Sequence, residues 1–280
     1  MLELAYINDS FIPLEKASVP INDRGYLFAD GIYEVIITCN SILFGLDEHL
    51  NRLQRSADAI SLELPASLDE ISKIIETGIK KAGFSESMVY IQITRGVAPR
   101  RHNYSTGIQA TLVMTFRARP EYAPELFNQG VAIITVPEIR WSRCDIKSTA
   151  LLPNVMMKQK ATDKGCQEAL FVTADKIVHE CTTANIFIVK NDILYTPPAD
   201  RQILNGITRS FILEQAERHN IGCVEKECYY DELCQADEVF ITSSTIDLMP
   251  VVKIDDFIIN TGQPGRPISL RVRNFFPTRI

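Results

Sequence analysis

Lys147 stands in the run Ile139-Arg140-Trp141-Ser142-Arg143-Cys144-Asp145-Ile146-Lys147-Ser148, where three cations and the sole tryptophan crowd together. A lysine amine becomes a nucleophile when apolar or cationic neighbours lower its pKa from about 10.4. Taken singly, Lys147 is one lysine among many, and most lysines are simply solvated. Glu180 closes the apolar run Ile177-Val178-His179 and is followed by Cys181-Thr182-Thr183-Ala184-Asn185. A buried carboxylate needs a cation or hydrogen-bond donors. A protonated pyridine nitrogen is one such cation; a plain edge-strand glutamate beside a turn is the simpler alternative.

Two further stretches suit an anion. Asn205-Gly206-Ile207-Thr208 precedes a helical pattern, and helix-start N–H groups attract negative charge. Thr242-Ser243-Ser244-Thr245 follows a strand-like run. Separately they read as a cap and a turn; together they would make a phosphate cup without a Walker motif. Thr94-Arg95-Gly96-Val97-Ala98-Pro99-Arg100-Arg101-His102 concentrates positive charge, as either a solvated loop or a carboxylate grip. Of the four histidines, His49 reads as a helix-face residue and His219 as a C-terminal helix charge, and their dispersal gives a metal site no support.

Several elements must position these groups. Ala5–Ile12 alternates around an Asn8-Asp9 turn, and Tyr33–Thr38, Met88–Thr94 and Thr111–Phe116 have strand composition. The spacing predicts helices over Asp47–Ile60, with Asp47 as N-cap, and over Ser67–Lys81, with Ser67 and Glu70 as a capping box. Two prolines and mixed charge at Arg117–Pro124 read as a linker. Beyond it, strands are expected at Val131–Val136, Glu168–Thr173, Asn185–Val189 and Glu238–Ile241, with helices at Leu152–Thr162 and Ile207–His219. The expected fold class is α+β in two domains, 1–118 and 125–280, joined by residues 119–124. Rossmann, P-loop, zincin and α/β-hydrolase signatures are absent.

The 280 residues are 46% hydrophobic and 23% charged, ordinary for a globular chain. A net charge of −6 argues against a nucleic-acid partner. No apolar run approaches the ~20 residues that span a bilayer. The first residues lack a secretory pattern, and seven scattered cysteines without C-x-x-C spacing read as reduced thiols, so a cytoplasmic protein is expected.

In order, Asp23-Arg24-Gly25-Tyr26, Asp30-Gly31-Ile32-Tyr33-Glu34-Val35, Glu48-His49-Leu50-Asn51-Arg52-Leu53, Thr94-Arg95-Gly96, Pro99-Arg100-Arg101-His102, Arg143-Cys144-Asp145-Ile146-Lys147, Gly206-Ile207-Thr208-Arg209 and Thr242-Ser243-Ser244-Thr245 closely resemble the class IV (fold type IV) pyridoxal-phosphate aminotransferases. Within them the chain is most similar to the D-amino acid (D-alanine) aminotransferases. The resemblance implies a small N-terminal α/β sandwich and a larger barrel-like domain, with pyridoxal 5'-phosphate between them, and a homodimer. It implies that Lys147 holds the cofactor as a Schiff base, and that Glu180 pairs with the ring nitrogen. Arg52, Ile207, Thr208, Ser243 and Ser244 would hold the phosphate, and Leu204 would pack on the ring. Tyr33, with Arg100 and His102 of the neighbouring subunit, would bind the substrate carboxylate.

The implied reaction converts D-alanine and 2-oxoglutarate to pyruvate and D-glutamate by a ping-pong course. A branched-chain L-amino acid aminotransferase and an aminodeoxychorismate lyase are the alternatives, and both lack the full Arg-x-His pattern. The chain departs from the family's Ser-rich run at Cys181-Thr182-Thr183-Ala184, and His179 and Arg101 match no fixed requirement. No role is read from the basic, proline-containing tail that begins at Thr261.

Overall fold

The computed structural model describes residues 1–264 and 267–276; Gly265, Arg266 and residues 277–280 of the basic tail lie outside the described residues. The chain divides into two compact units. Among the described residues the first comprises Met1–Pro120 and Ile146–Ala150, the second Glu121–Asp145 and the chain from Leu151 to Phe276.

Unit one is an antiparallel sheet covered by two helices. Its hairpin is β1 (Leu4–Ile7) and β2 (Ser10–Pro13), turned at Asn8 with φ 53°. A short helix α1 (Arg24–Phe28) precedes β3 (Gly31–Cys39), β4 (Ile42–Leu43), α2 (Leu46–Ala59) and α3 (Leu68–Ala82). Strands β5 (Ser87–Thr94) and β6 (Thr111–Ala118) complete a sheet of order β2-β1-β6-β5-β3-β4. Alternation puts Val89, Ile91 and Ile93 of β5 and Leu112, Met114 and Phe116 of β6 on one face, where Leu50, Leu53, Ala57, Ile71 and Ile75 of the helices pack. The α3 capping box forms as the sequence predicts, Ser67 and Glu70 each satisfying the other's backbone N–H. The start of α2 differs from expectation. Gly45, at φ 63°, is its N-cap and Asp47 lies in the first turn, because only the glycine takes this left-handed approach without strain.

Residues 146–150 are assigned to the second domain by the sequence reading, yet they group with unit one. The reason is an open strand edge. β4 covers β3 only at Thr38 and Cys39, so the other end of β3 has free backbone groups. There Ser148 bridges to Ile32, Tyr33 N–H donates to the Lys147 carbonyl, and Thr149 N–H donates to the Gly31 carbonyl.

Unit two begins with α4 (Pro124–Gln129), β7 (Val131–Pro137), α5 (Leu152–Asp163), β8 (Glu168–Val172) and β9 (Ile177–Cys181). It continues with β10 (Asn185–Lys190), β11 (Ile193–Thr196), α6 (Ile207–Arg218), β12 (Cys223–Glu225), β13 (Cys228–Tyr229) and α7 (Tyr230–Cys234). It ends with β14 (Glu238–Ser243), β15 (Asp247–Ile254), β16 (Phe257–Ile258) and α8 (Pro267–Arg273). Its mixed sheet has the order β12-β11-β10-β14-β15-β7-β8-β9-β13, with β16 on β15. Parallel pairs β15–β7 and β7–β8 sit among antiparallel ones. This is the α+β class expected. Glu238 accepts the N–H groups of Ile268 and Ser269, fastening α8 by its positive end. Among the described residues no helix is long and apolar enough to cross a membrane.

One packing contact gives a stability test. A helix-interior Gly→Ala change ordinarily stabilises by about 1 kcal/mol. A Cβ on Gly78 in α3 would fall 2.1 Å from Phe116, whose side chain is fully buried. Overpacking costs about 1–3 kcal/mol, so Gly78→Ala is expected to lower the urea midpoint rather than raise it.

Candidate active site

In unit one the β3-edge segment fixes Lys147 by its backbone. Lys147 N–H donates to Ser56 Oγ of α2 at 3.2 Å, its carbonyl accepts from Tyr33, and Nζ lies 4.2 Å from the Tyr33 ring centroid. Among the described residues no carboxylate is paired with this half-buried amine. It is held at its root and chemically uncommitted at its tip.

Alternation along β3 places Ile32, Glu34 and Ile36 on the core face and Tyr33 on the other. A carboxylate within that apolar face requires a cation. Arg52 on α2 supplies it, with Nε and Nη2 each bonded to a different Glu34 oxygen at 2.7 and 2.8 Å. His49, one turn earlier, adds Nδ1 at 2.7 Å. Burial pushes the Glu34 carboxyl up, but the Arg52 charge and the hydrogen bonds from Arg52 and His49 outweigh it and hold the pKa at about 2. Burial drives His49 the other way, below its ordinary value, so a neutral ring donates Nδ1–H to Glu34. His49 lies on a face of α2, as the sequence suggests, but that face is the buried one: its ring is fully buried and Nε2 has no partner.

The loop between β5 and β6 carries Arg100 and His102, both exposed. Arg24 reaches across it: Nη1 donates to the Arg101 carbonyl at 2.6 Å, Nη2 to the His102 carbonyl at 3.1 Å and Nε to Asp30 at 2.7 Å. Arg95 grips the same Asp30 and lies 3.8 Å from the Tyr104 ring centroid. Phe28 faces both Arg100 and His102, at 5.3 and 5.4 Å.

In unit two Glu180 lies on β9, which is flanked by β8 and β13 and is therefore not an edge strand. The β8–β9 register slips between Leu170–Cys181 and Val172–Val178, so His179 and Glu180 together oppose Phe171. Such a bulge re-aims consecutive side chains. Glu180 Oε1 accepts from Arg140 Nη1 at 2.6 Å and Leu204 N–H at 3.1 Å; Oε2 accepts from Asn185 Nδ2 at 3.0 Å. The remaining Arg140 hydrogen bonds go to Glu138 and the Gln202 carbonyl, and its guanidinium stacks 4.3 Å from the Phe171 centroid. His179 Nδ1 meets Glu138 at 2.8 Å.

Asn185 also donates to the Leu204 carbonyl and pairs across the sheet with Thr242. A Cβ on Gly206 would fall 2.1 Å from Asn185 Oδ1, so only glycine lets α6 begin here. No side chain caps α6, and the Thr208 and Thr242 hydroxyls are buried without partners. Unsatisfied buried hydroxyls beside an uncapped helix start fit an anionic group with several acceptor oxygens. Ser243 pairs with Thr245 at 3.3 Å. Thr182 and Thr183, in the run that departs from the family's serines, both donate to buried Glu168, which Lys158 neutralises.

Unit one therefore groups Lys147 with Tyr33 and, separately, Arg100 with His102. Unit two groups Glu180, Leu204, Ile207 and Thr208, with Ser243 and Ser244 just beyond Thr242. Sequence reasoning passed over Glu34, Glu138 and Asn185. The signal for Glu34 was a carboxylate inside the apolar alternation of β3.

Residues 31–254 match the sequence profile of the family described as amino-transferase class IV. The chain is 42% identical over 274 residues to the D-alanine aminotransferase of Bacillus licheniformis, covering 98% of this chain and 95% of that one. In structure it is similar to the Escherichia coli branched-chain amino acid aminotransferase, with TM-score 0.91, 23% identity and 98% and 93% of the two chains covered. It is also similar to the branched-chain amino acid aminotransferase of T.th. solved with pyridoxamine 5'-phosphate, with TM-score 0.90, 23% identity and the same coverage.

The Glu34 cluster makes a pH-dependent contribution. With a folded pKa of about 2 against an ordinary 4.5, its stabilisation is complete above pH 4.5 and is lost as pH falls towards 2. Glu34→Gln leaves Arg52 buried without its counter-charge and is expected to cost about 3–5 kcal/mol at neutral pH. Urea unfolding from pH 7 to 2 should show the wild-type advantage shrinking only below pH 4.5.

Proposed function

Because the chain belongs to the class IV aminotransferases, we propose that it transfers the amino group of D-alanine and related D-amino acids to 2-oxo acids such as 2-oxoglutarate. Its 42% identity to a D-alanine aminotransferase along nearly the whole chain carries this reading. The likeness to branched-chain enzymes is one of fold. Members of the family work with pyridoxal 5'-phosphate, and the uncommitted Lys147 amine, the uncapped α6 start and the orphaned Thr208 and Thr242 hydroxyls fit it.

When bound, pyridoxal phosphate takes up the negative charge left as the substrate Cα–H bond breaks. Lys147 Nζ holds it, and the same nitrogen, once free, takes the Cα proton as a general base. Glu180, kept anionic by Arg140, Asn185 and the Leu204 N–H, keeps the ring nitrogen protonated. Arg52, Ile207, Thr208, Ser243 and Ser244 bind the phosphate, and Leu204 packs on the ring. Tyr33, Arg100 and His102 bind the substrate carboxylate, and fixing it relative to Lys147 decides which Cα–H faces the base. The first product leaves before the second substrate enters, which gives ping-pong kinetics.

The active form is a homodimer in which Arg100 and His102 serve the neighbouring site. Support comes from α5, where Leu152, Val155 and Met156, spaced along one face, are 70%, 61% and 52% exposed. The enzyme works in the cytoplasm, in keeping with seven scattered cysteines that lack C-x-x-C spacing.

Three outcomes test this reading. Lys147→Ala is expected to lower turnover by roughly 10²–10⁴-fold or more and to abolish covalent labelling by borohydride-trapped cofactor. D-Alanine should bleach the cofactor absorbance in a single half-reaction, whereas L-leucine should leave it unchanged; the reverse result identifies a branched-chain enzyme. Mixing inactive Lys147→Ala and Arg100→Ala chains should restore activity that neither has alone, and failure to do so removes the shared-site arrangement.

A further inference from the structure

Glu180 presents an electrostatic difficulty. A carboxylate paired at 2.6 Å with a guanidinium forms a neutral unit, and a neutral unit has little attraction left for a second cation. Yet the assigned task of Glu180 is to hold a protonated ring nitrogen.

The surroundings resolve this by a count of charges. Arg140 is nearly enclosed, and most of its hydrogen bonds go to Glu138 rather than Glu180: Nε and Nη2 both point to Glu138, and only Nη1 reaches Glu180. Burial pushes the Glu138 carboxyl up, but hydrogen bonds from His179 and Arg140 and the Arg140 charge outweigh it and hold the pKa at about 2, so Glu138 is an anion. The nearby thiols of Cys144 and Cys181 are raised by burial, Cys144 to about 12, and carry no charge at neutral pH. Glu168 is balanced by Lys158, and Asp145 by Arg143. Two carboxylates, Glu138 and Glu180, thus share the one guanidinium of Arg140.

The β9 bulge makes the arrangement geometrically available. Because His179 and Glu180 both oppose Phe171, one imidazole can hold Glu138 while its neighbour in sequence meets the same arginine from the other end. Phe171 floors the guanidinium and keeps it in the plane that serves both carboxylates.

We propose that Glu138, oriented by His179, is a positioning residue that absorbs the charge of Arg140 and thereby leaves Glu180 with a net negative field for the cofactor's ring nitrogen. This rests on the assignment of Glu180 to that nitrogen. Glu138 acts through Arg140 and Glu180.

The test compares two ligands on the full-length apoprotein, pyridoxal phosphate and its analogue with C–H in place of the ring nitrogen. Any general damage to the site weakens both alike and cancels in the ratio of their dissociation constants. Wild type should favour the nitrogen-containing ligand, and Glu180→Gln should bring the ratio near one. Glu138→Gln is expected to cut the wild-type ratio by roughly tenfold. His179→Leu should lower it by less, and His179→Asn, which keeps a donor near the Nδ1 position, should restore it. A wild-type ratio retained in both Glu138→Gln and His179→Leu overturns the inference while leaving Glu180 in its role. A Glu180→Gln ratio equal to wild type overturns the Glu180 assignment, and this inference with it. Should Glu138→Gln not fold, the His179 pair alone decides.

Discussion

An ionised carboxylate survives inside a protein only where cations or N–H donors replace the water it has lost. Both units of this chain are organised around that constraint. In unit one Glu34 occupies a core-face position of β3 that its neighbours Ile32 and Ile36 would have an apolar residue fill, and Arg52 and His49 of α2 must come to it. In unit two Glu180 draws Arg140, Asn185 and the Leu204 backbone to one point. The helices and loops that supply these donors are thereby fixed relative to the strands that carry the acids.

The two clusters differ in a way that matters for chemistry. Around Glu34 the partners fully occupy the carboxylate, and the result is rigid placement of Arg52. Around Glu180 the single arginine is shared between two acids. Two buried ion pairs can thus contain the same residue types and be told apart by what else claims the arginine.

Sequence made the local elements legible where pattern and chemistry agreed. The α3 capping box reads directly from Ser67 and Glu70, and the alternation of β5 and β6 gives both strands and their buried faces. Long-range partnerships left less trace. Nothing in the run from Glu138 to Arg140 shows that the arginine will meet an acid forty residues later, because that depends on a register slip between β8 and β9. The α2 start was misread because aspartate is a common cap, whereas a left-handed glycine two residues earlier made the turn. The motif order around Lys147 and Glu180 identified the family, but the partners of Glu180 became visible only in three dimensions.

The five residues 146–150 have a consequence for how the chain is made. They cover the bare half of β3, including the Tyr33 N–H, although they are encoded well after the rest of unit one. A fragment ending at Pro120 would emerge with that edge unsatisfied and ready to pair with another chain. During translation the N-terminal unit therefore cannot be finished until residue 150 has cleared the ribosome, and the stretch that completes it is the one that bears Lys147. Correct assembly of the first unit and placement of Lys147 are a single event.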